Sequence, residues 1–371
     1  MLEEIINEAE HPDRAYEINS TLIDTVLYAI ETNDRDMLLE LLEPFHAADI
    51  ADLLEQINSK ERAAFVVLWG KDFDGEVLAE IDEGLLDDVF DGLSDDVVTE
   101  AVKELDTDDV VDLIEDLDEP QQERILDALE DSDRVAVEQA LSYPELSAGR
   151  LMQRELVMAP IHWTVGEAID YLRTEKDLPD QFYDVVMVDP RLRPVGKVAL
   201  SNLMSSAREI KLSDIMDEEF RTIPVLQSQE DVAYAFNQYN MISAPVVDAD
   251  NRLVGVITMD DAMEVLDDHA EEDIKRLAGV GDESLIDTIL ATTRLRFPWL
   301  AVNLLTSILA SIVIAQFAET IEAIVALAVL MPIVASMGGN AGTQTLTVAV
   351  RALATIELTQ AIAWRVIRRE L

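Results

Sequence analysis

The sequence predicts a multidomain protein: an all-α superhelical domain, then a tandem pair of small α/β modules, then an α-helical transmembrane segment. Three observations lead to this fold class. Residues 1–140 carry short amphipathic segments of helical period with few strand signals, and residues 141–264 contain two copies of one strand–turn–strand–helix pattern. Residues 291–371 contain two long uncharged runs, and residues 265–290 read as a charged helix that connects the modules to them.

The chain is strongly acidic, with 27 basic and 76 acidic residues and a formal net charge of -49. Residues 297–371 hold four of each kind, so the whole excess lies in residues 1–296. A nucleic-acid binder needs a basic surface, and this balance excludes nucleic acid as a main partner. With 7 lysines against 20 arginines, the composition resembles that of proteins from halophilic organisms. For any single carboxylate we therefore favour a solvated surface over cation binding.

Enzymatic chemistry finds no support in the sequence. The chain has no cysteine, which excludes disulfides, thiolate zinc sites and a cysteine nucleophile. The four histidines show no paired metal-ligand spacing, and neither a GxSxG motif nor a P-loop lysine motif is present. We expect a protein that is not an enzyme.

The two uncharged runs cover residues 297–318 and 323–350, and each is long enough to span a bilayer. Arginines precede the first run and follow the second, whereas the link at 319–322 has no basic residue. Because Lys and Arg favour the cytoplasmic side, both ends and the acidic 296-residue portion are predicted to be cytoplasmic. The expected location is the cell (inner) membrane, with the lipid bilayer as a partner.

Residues 1–140 repeat short amphipathic segments at 49–57, 96–102 and 109–117, and the first and third match at an offset of 60. Asp or Ser at the start of such runs is an N-cap signal. A short helix with one apolar stripe cannot bury that stripe alone, so the helices are predicted to stack into a small superhelix. An irregular helical bundle is the alternative.

The second predicted region repeats with a period of about 60 residues. The first copy runs from an apolar strand near 183–188 through the turn at 191–196 to a helix at 201–208. The second copy has its strands within 243–258 and a helix at 260–268. Each copy opens with an apolar-proline strand, at 159–161 and 223–225.

The second copy reads Gly-Val-Ile-Thr-Met-Asp-Asp over residues 255–261, and together the copies resemble a tandem cystathionine-β-synthase (CBS) pair. The resemblance implies that Thr258 contacts a phosphate and Asp261 a ribose hydroxyl of an adenine nucleotide such as ATP. The first copy reads Gly-Lys-Val-Ala-Leu-Ser-Asn over 196–202 and lacks both residues, which argues against a nucleotide there.

From residue 1 to residue 371, the order of segments resembles that of the MgtE family of magnesium channels and transporters. Two motifs carry the resemblance: Ser-Ala-Gly-Arg-Leu-Met at 147–152 and Gly-Gly-Asn-Ala-Gly-Thr-Gln at 338–344, within the second run. The resemblance implies a magnesium channel that forms a homodimer. It also implies five spans where this sequence supplies two, so we expect the chain to be a piece of a longer protein.

Physical chemistry allows two roles for the second-run motif. Gly338 and Gly339 let backbones approach closely, Pro332 removes a helix hydrogen bond, and Asn340 adds an uncharged oxygen. Such groups suit a partly hydrated magnesium ion, but they serve equally for helix packing. The resemblance favours a pore-lining role for these four residues.

The resemblance also implies that cytosolic Mg²⁺ bridges the acidic domain, the CBS pair and the connecting (plug) helix and holds the channel shut. The matching positions are carboxylates, namely Asp108, Asp112, Asp261, Glu264, Glu272 and Asp273. Divalent cations would neutralise such clusters and draw the modules together. Asp261 cannot be assumed to serve both ribose and metal.

Two other functions stay open on the sequence. One is a membrane-anchored CBS sensor of nucleotide or ion that regulates another transporter. The other is a CBS-bearing channel for chloride or a different cation. The Gly-Gly-Asn motif favours the magnesium channel over both, because a mere anchor needs no pore chemistry.

Overall fold

A computed structural model describes residues 20–176, 178–179, 181–279, 289–354 and 368. The chain divides into two compact units, and the boundary lies between Met263 and Glu264. Residues 1–19 of the predicted first domain, residues 280–288 of the predicted connecting helix and most of residues 355–371 lie outside the described residues.

The first unit begins with ten described α-helices that cover residues 20–140, and we call this part the N-terminal domain. They are α1 (Ser20–Thr32), α2 (Arg35–Leu42), α3 (Ala47–Glu55), α4 (Ser59–Trp69), α5 (Val77–Glu80), α6 (Glu83–Phe90), α7 (Asp95–Glu104), α8 (Thr107–Asp116), α9 (Glu119–Ala128) and α10 (Asp131–Ala140).

Short polar residues set the starts of these helices. Asn58 and Asp118 form capping boxes with the third helical residue of α4 and α9. Ser94 and Asp106 occupy the N-cap positions of α7 and α8, but neither side chain makes a cap hydrogen bond. The start of α8 is therefore satisfied from elsewhere.

Many helices two apart in the sequence pack on one another in the N-terminal domain, namely α2 on α4, α3 on α5, α4 on α6, α7 on α9 and α8 on α10, while α1 packs on α4 and α5 on α8. This second-neighbour stacking is the arrangement expected of a superhelix of short helices. Its apolar stripes form one core in which Phe65 and Phe90 are fully buried, and the Phe65 and Trp69 rings meet edge to face at 5.5 Å.

Two α/β modules of the same topology follow. The first module contains β1 (Met158–Pro160), α11 (Val165–Thr174), β2 (Asp184–Val188), β3 (Pro194–Ala199) and α12 (Leu200–Ser205). The second module contains β4 (Ile223–Pro224), α13 (Gln229–Tyr239), β5 (Ser243–Val247), β6 (Leu253–Thr258) and the start of α14 (Met259–Ala278). In each, the first strand is parallel to the second, which pairs antiparallel with the third. The predicted tandem α/β pair is thus confirmed.

Helix bounds in the modules differ from the predicted ones. The first copy's helix is α12, which ends at Ser205 rather than at residue 208. The second copy's helix, predicted at 260–268, continues as α14 to Ala278, because the sequence from 259 to 278 contains no glycine or proline. Gly279, with a φ of 69°, follows the end of α14.

The second unit contains two long apolar helices, α15 (Ile289–Ala315) and α17 (Val325–Ala354), joined by the short α16 (Ala318–Ala323). By length and composition, Thr292–Ala315 and Val325–Val350 could each cross a membrane. At 1.5 Å per residue, even the shorter of the two covers a hydrocarbon core of about 30 Å.

Candidate cation and nucleotide sites

The N-terminal domain meets the second module through the start of α8. Glu155, in the segment that enters the modules, accepts hydrogen bonds from the Thr107 amide at 3.2 Å and the Thr107 hydroxyl at 2.6 Å. Gln153 donates to Asp106 at 3.0 Å and pairs through its backbone with Val256 of β6. The Glu155 carboxylate therefore supplies the cap that Asp106 does not.

Asp108, in the first turn of α8, is the most perturbed carboxyl of this contact. Its side chain is only 6% exposed. Burial raises its pKa well above the ordinary value, and repulsion from Asp261, Asp109, Asp106 and Glu155 raises it further. An ionised Asp108 is therefore unfavourable here unless a cation compensates it.

Asp261, in the first turn of α14, lies near Asp108 and comes from the other side of the same contact. It accepts hydrogen bonds from the Thr258 amide at 3.0 Å and the Thr258 hydroxyl at 2.7 Å. Burial raises its pKa, against the lowering effect of these hydrogen bonds. Two predicted ligands from separate parts of the sequence are thus brought together, each at the start of a helix.

The structure places the predicted ligand Asp112 on the exposed side of α8, one turn from Asp108. Burial lowers the pKa of the Arg150 guanidinium, and the negative charge of Asp112 partly counteracts this lowering. Arg150 also forms an ion pair with Glu115 and donates to the backbone carbonyls of Leu141 and Tyr143. One electrostatic partner of Asp112 is thus a cation of the protein itself, Arg150.

The predicted ligands Glu264, Glu272 and Asp273 lie further along α14, in the second unit. Glu272 forms an ion pair with Arg276 one turn later, and the adjacent Glu271 pairs with Lys275 at 2.8 Å. Among the described residues, no three His, Asp or Glu side chains converge as a ready metal cage. The arrangement closest to a cation site is the Asp108–Asp261 pair, with Asp106 and Glu155 beside it.

Thr258, the predicted phosphate contact, lines a small cleft between the two modules together with Tyr183, Asp184 and Ser243. Its hydroxyl is already bonded to Asp261. Asp184 accepts from Lys197 at 2.7 Å and from the Ser243 hydroxyl at 2.9 Å, which ties the modules together at this end. A nucleotide here would have to exchange the Thr258–Asp261 hydrogen bonds for its own.

The predicted pore residues Pro332, Gly338, Gly339 and Asn340 all lie on α17, which continues through Pro332 as one helix. A Cβ added at Gly338 or Gly339 would meet no atom within 4 Å. Asn340 is exposed. The motif therefore lies on an open helix surface in the described residues, with room for a closely approaching backbone.

Asp106 and Glu155 were not among the residues predicted from the sequence to lie at the cation site. Asp106 reads as an ordinary N-cap, and Glu155 lies in an irregular segment three residues after the motif at 147–152. No periodicity marks either residue. Their charges matter only because the fold brings residues 106 and 155 to the same helix terminus.

Comparison with known proteins agrees with this architecture. Residues 45–146 match the family model described as the MgtE intracellular N domain. Residues 212–268 match the CBS domain, and residues 331–371 match the model described as a divalent cation transporter.

Curated relatives and solved structures extend the match over the chain. A protein named magnesium transporter MgtE from Bacillus subtilis is 30% identical over 90% of this chain and 73% of its own length. One of the same name from Thermus thermophilus is 31% identical over 89% of this chain and 75% of its own.

The chain resembles a structure described as the cytosolic domain of the Mg²⁺ channel MgtE in complex with ATP. That match has a TM-score of 0.61 and 28% identity, and covers 66% of this chain and 99% of that one. The soluble part of a magnesium transporter matches with a TM-score of 0.58 and 24% identity, over 68% of this chain and 99% of that one. This chain belongs to the MgtE family of magnesium transporters.

Proposed function

We propose that this chain senses cytosolic Mg²⁺ and contributes to the pore of a magnesium channel in the cell membrane. In this proposal Mg²⁺ binds between the N-terminal domain and the CBS pair and stabilises their docked, closed arrangement. The observation that carries the proposal is the burial of Asp108 beside Asp261, two carboxyls from different domains whose pKa values are both raised.

The chemistry of magnesium fits a site with few protein ligands. Mg²⁺ requires octahedral oxygen coordination, dehydrates reluctantly and is commonly held by one or two carboxylates while it keeps several waters. Asp108 and Asp261 supply two such carboxylates, so a cage of three acidic residues is not needed. The predicted ligands Asp112, Glu264, Glu272 and Asp273 remain candidates for further ions.

The proposed switch depends on which arrangement of the domains binds Mg²⁺ more tightly. With the ion bound, attraction replaces the repulsion between the two carboxylates. Without it, docking confines two like charges in a buried contact. Mg²⁺ shifts the equilibrium toward the docked state only by its differential affinity for that state. Because Asp261 lies in the first turn of the long α14, a change at this carboxylate would act on the helix that leads out of the CBS pair.

A nucleotide-sensing role is the second candidate. The solved relative described in complex with ATP supports it, as does the position of Thr258 in the inter-module cleft. In our proposal Asp261 serves the cation, and ATP, if it binds, competes for the Thr258–Asp261 hydrogen bonds. Calorimetric titration with ATP, repeated with Thr258→Ala, tests this. A loss of binding in the variant would favour the nucleotide role.

We further propose that the chain acts as a homodimer, with the acidic part in the cytosol and α17 contributing Pro332, Gly338, Gly339 and Asn340 to the pore. Exposed apolar side chains on the CBS pair suit a partner surface, since Met204 is 67% exposed and Met263 60%. The open glycine surface of α17 suits close approach by a second backbone. Sedimentation of the purified chain in detergent tests the dimer.

The cation site is tested by titrating the full chain with Mg²⁺ in strong monovalent salt, using calorimetry. Asp108→Asn and Asp261→Asn should each weaken one class of Mg²⁺ sites by about ten-fold or more, equivalent to about 1.4 kcal/mol. Asp36→Asn is the matched control, because it removes the same charge from an exposed position in the same domain. Identical titrations for all three variants would contradict the proposal.

A further inference from the structure

The tips of the two module hairpins share one construction. The Asp189 carboxylate accepts hydrogen bonds from the amides of Arg191 at 2.7 Å and Arg193 at 3.0 Å. In the second hairpin the Asp248 carboxylate accepts from the amides two and four residues later, both at 2.8 Å. These bonds fix both turns and occupy both turn carboxylates. The side chains of the arginines are then held on rigid loops.

The two tips are joined directly. The Leu253 amide donates to the Leu192 carbonyl at 2.8 Å. Between the tips lies an open cleft of about 450 Å³, lined by Pro190, Arg191, Leu192, Arg193, Asp250 and Arg252, which we call the arginine cleft. Its size falls within the range usual for small-molecule sites, roughly 300–1,000 Å³.

The charge of the arginine cleft is opposite to that of the protein. Three guanidinium groups and one carboxylate line it, in a chain of formal net charge -49. Asp250 lies 3.7 Å from Arg252, and the Asp189 carboxylate attracts Arg191 and Arg193, so these two carboxylates offset part of the positive charge. The Nε atom of Arg193 is buried and has no hydrogen-bond partner.

Two of the five non-glycine residues with positive φ in the described part of the chain lie in these two turns. Leu192 has a φ of 60°, and the equivalent residue of the other turn, Asn251, has a φ of 59°. Asparagine tolerates this left-handed conformation, whereas leucine adopts it at a cost. The left-handed conformation of Leu192 directs its carbonyl toward the other hairpin, and an arginine lies on either side of Leu192 in the sequence.

We propose that the arginine cleft binds the phosphate groups of a small anionic ligand. Guanidinium groups form paired, charge-assisted hydrogen bonds with phosphate oxygens, and fixed loops lower the entropic cost of holding three of them together. Such direct contacts persist in strong salt, where the Debye length is only about 3 Å at 1 M. The site does not depend on the proposed magnesium sensing.

The arginine cleft is separate from the cleft that contains Thr258. Asp184 lines the Thr258 cleft at one end of β2, and Pro190 lines the arginine cleft beyond the other end. At about 3.3 Å per residue along a strand, the two residues lie roughly 15–20 Å apart. One phosphate group cannot occupy both clefts.

The test is calorimetric titration of the full chain in detergent with potassium pyrophosphate, ATP and adenosine, all in magnesium-free buffer. Arg191→Gln/Arg193→Gln removes the first hairpin's guanidinium groups, and Arg252→Gln removes the one on the second hairpin. Arg173→Gln, at an exposed position at the end of α11, is the matched control. Thermal unfolding of each variant establishes that it has folded.

Pyrophosphate should bind the parent chain and the control variant with equal affinity. Its affinity for the double variant and for Arg252→Gln should be at least about ten-fold lower. Adenosine should not bind this cleft. If ATP binds more tightly than pyrophosphate and loses affinity in the same variants, the phosphate belongs to a nucleotide; equal affinities indicate free phosphate compounds. No pyrophosphate binding by the parent, or affinity unchanged in the folded double variant, would overturn the proposal.

Discussion

Asp116, the last residue of α8, is expected to give the N-terminal domain a pH dependence that one substitution removes. Burial, followed by repulsion from Glu83 on α6, raises the pKa of Asp116 from 3.8 to about 6. Above pH 6 the native state therefore holds an ionised carboxylate that is more stable in the unfolded chain. The stabilisation that Asp116 provides when protonated is present below pH 3.8 and is lost as the pH rises through about 6.

The size of the effect follows from the difference between the two pKa values. At 1.36 kcal/mol per pKa unit, a shift of about 2 units corresponds to about 3 kcal/mol. Asp116 remains partly exposed, so solvent screening reduces this figure, and we expect about 1–2 kcal/mol. Asp116→Asn should stabilise α8 by that amount above pH 6, and the gain should shrink steadily toward pH 4.

Hydrogen exchange of the α8 amides in the full chain measures this quantity. At a pH well above 6, Asp116→Asn should slow exchange by about ten-fold, after correction for intrinsic rates. Glu123→Gln removes a charge from an exposed position on α9 and should change exchange little. Unchanged or faster exchange in Asp116→Asn at that pH would refute the reasoning, and so would a gain that persists undiminished at pH 4.

Three further substitutions probe the fold and the docking contact. Arg62→Met removes a guanidinium that is 4% exposed and pairs with Asp88 at 2.7 Å. Urea unfolding should show that the free energy of unfolding falls by about 3 kcal/mol or more, and a fall of less than about 1 kcal/mol would contradict this. Gly75→Ala places a Cβ 2.3 Å from the Ala101 carbonyl oxygen, so the melting temperature should fall by several degrees or more. Glu155→Ala removes the cap of α8 and should loosen docking, seen as faster proteolysis at residues 141–156, while the core of the N-terminal domain keeps its exchange protection.

Much of the fold could be predicted from the sequence, because the local helix and strand signals agree with the elements that the structure contains. The segments predicted at 49–57, 96–102 and 109–117 correspond to α3, α7 and α8, whose bounds differ by only a few residues. Alternation and turn residues likewise mark the two α/β modules. Helix ends were harder to predict, because nothing in the sequence separates the helix of the second module from the rest of α14.

The candidate site could be predicted only in part. Asp108 and Asp261 were predicted through the family resemblance, and the structure brings them together. Asp106 and Glu155 were not predicted, since their proximity depends on how α8 docks on a segment some 50 residues away. The arginine cleft shows the same limit: both turns are visible in the sequence, but their contact through Leu192 is a property of the fold.

The central claim is that Mg²⁺ at Asp108 and Asp261 holds the N-terminal domain on the CBS pair. The chain has no cysteine, so spin labels attached at Tyr28→Cys and Arg173→Cys, both exposed, report the distance between the two parts, and dilution with unlabelled chain removes distances between protomers. We predict a narrow distance distribution with Mg²⁺, a broad one without it, and no Mg²⁺ dependence once Asp108→Asn is added. A distance distribution whose width does not change with Mg²⁺ in the parent chain, or one that still narrows with Mg²⁺ in the Asp108→Asn variant, would contradict the account.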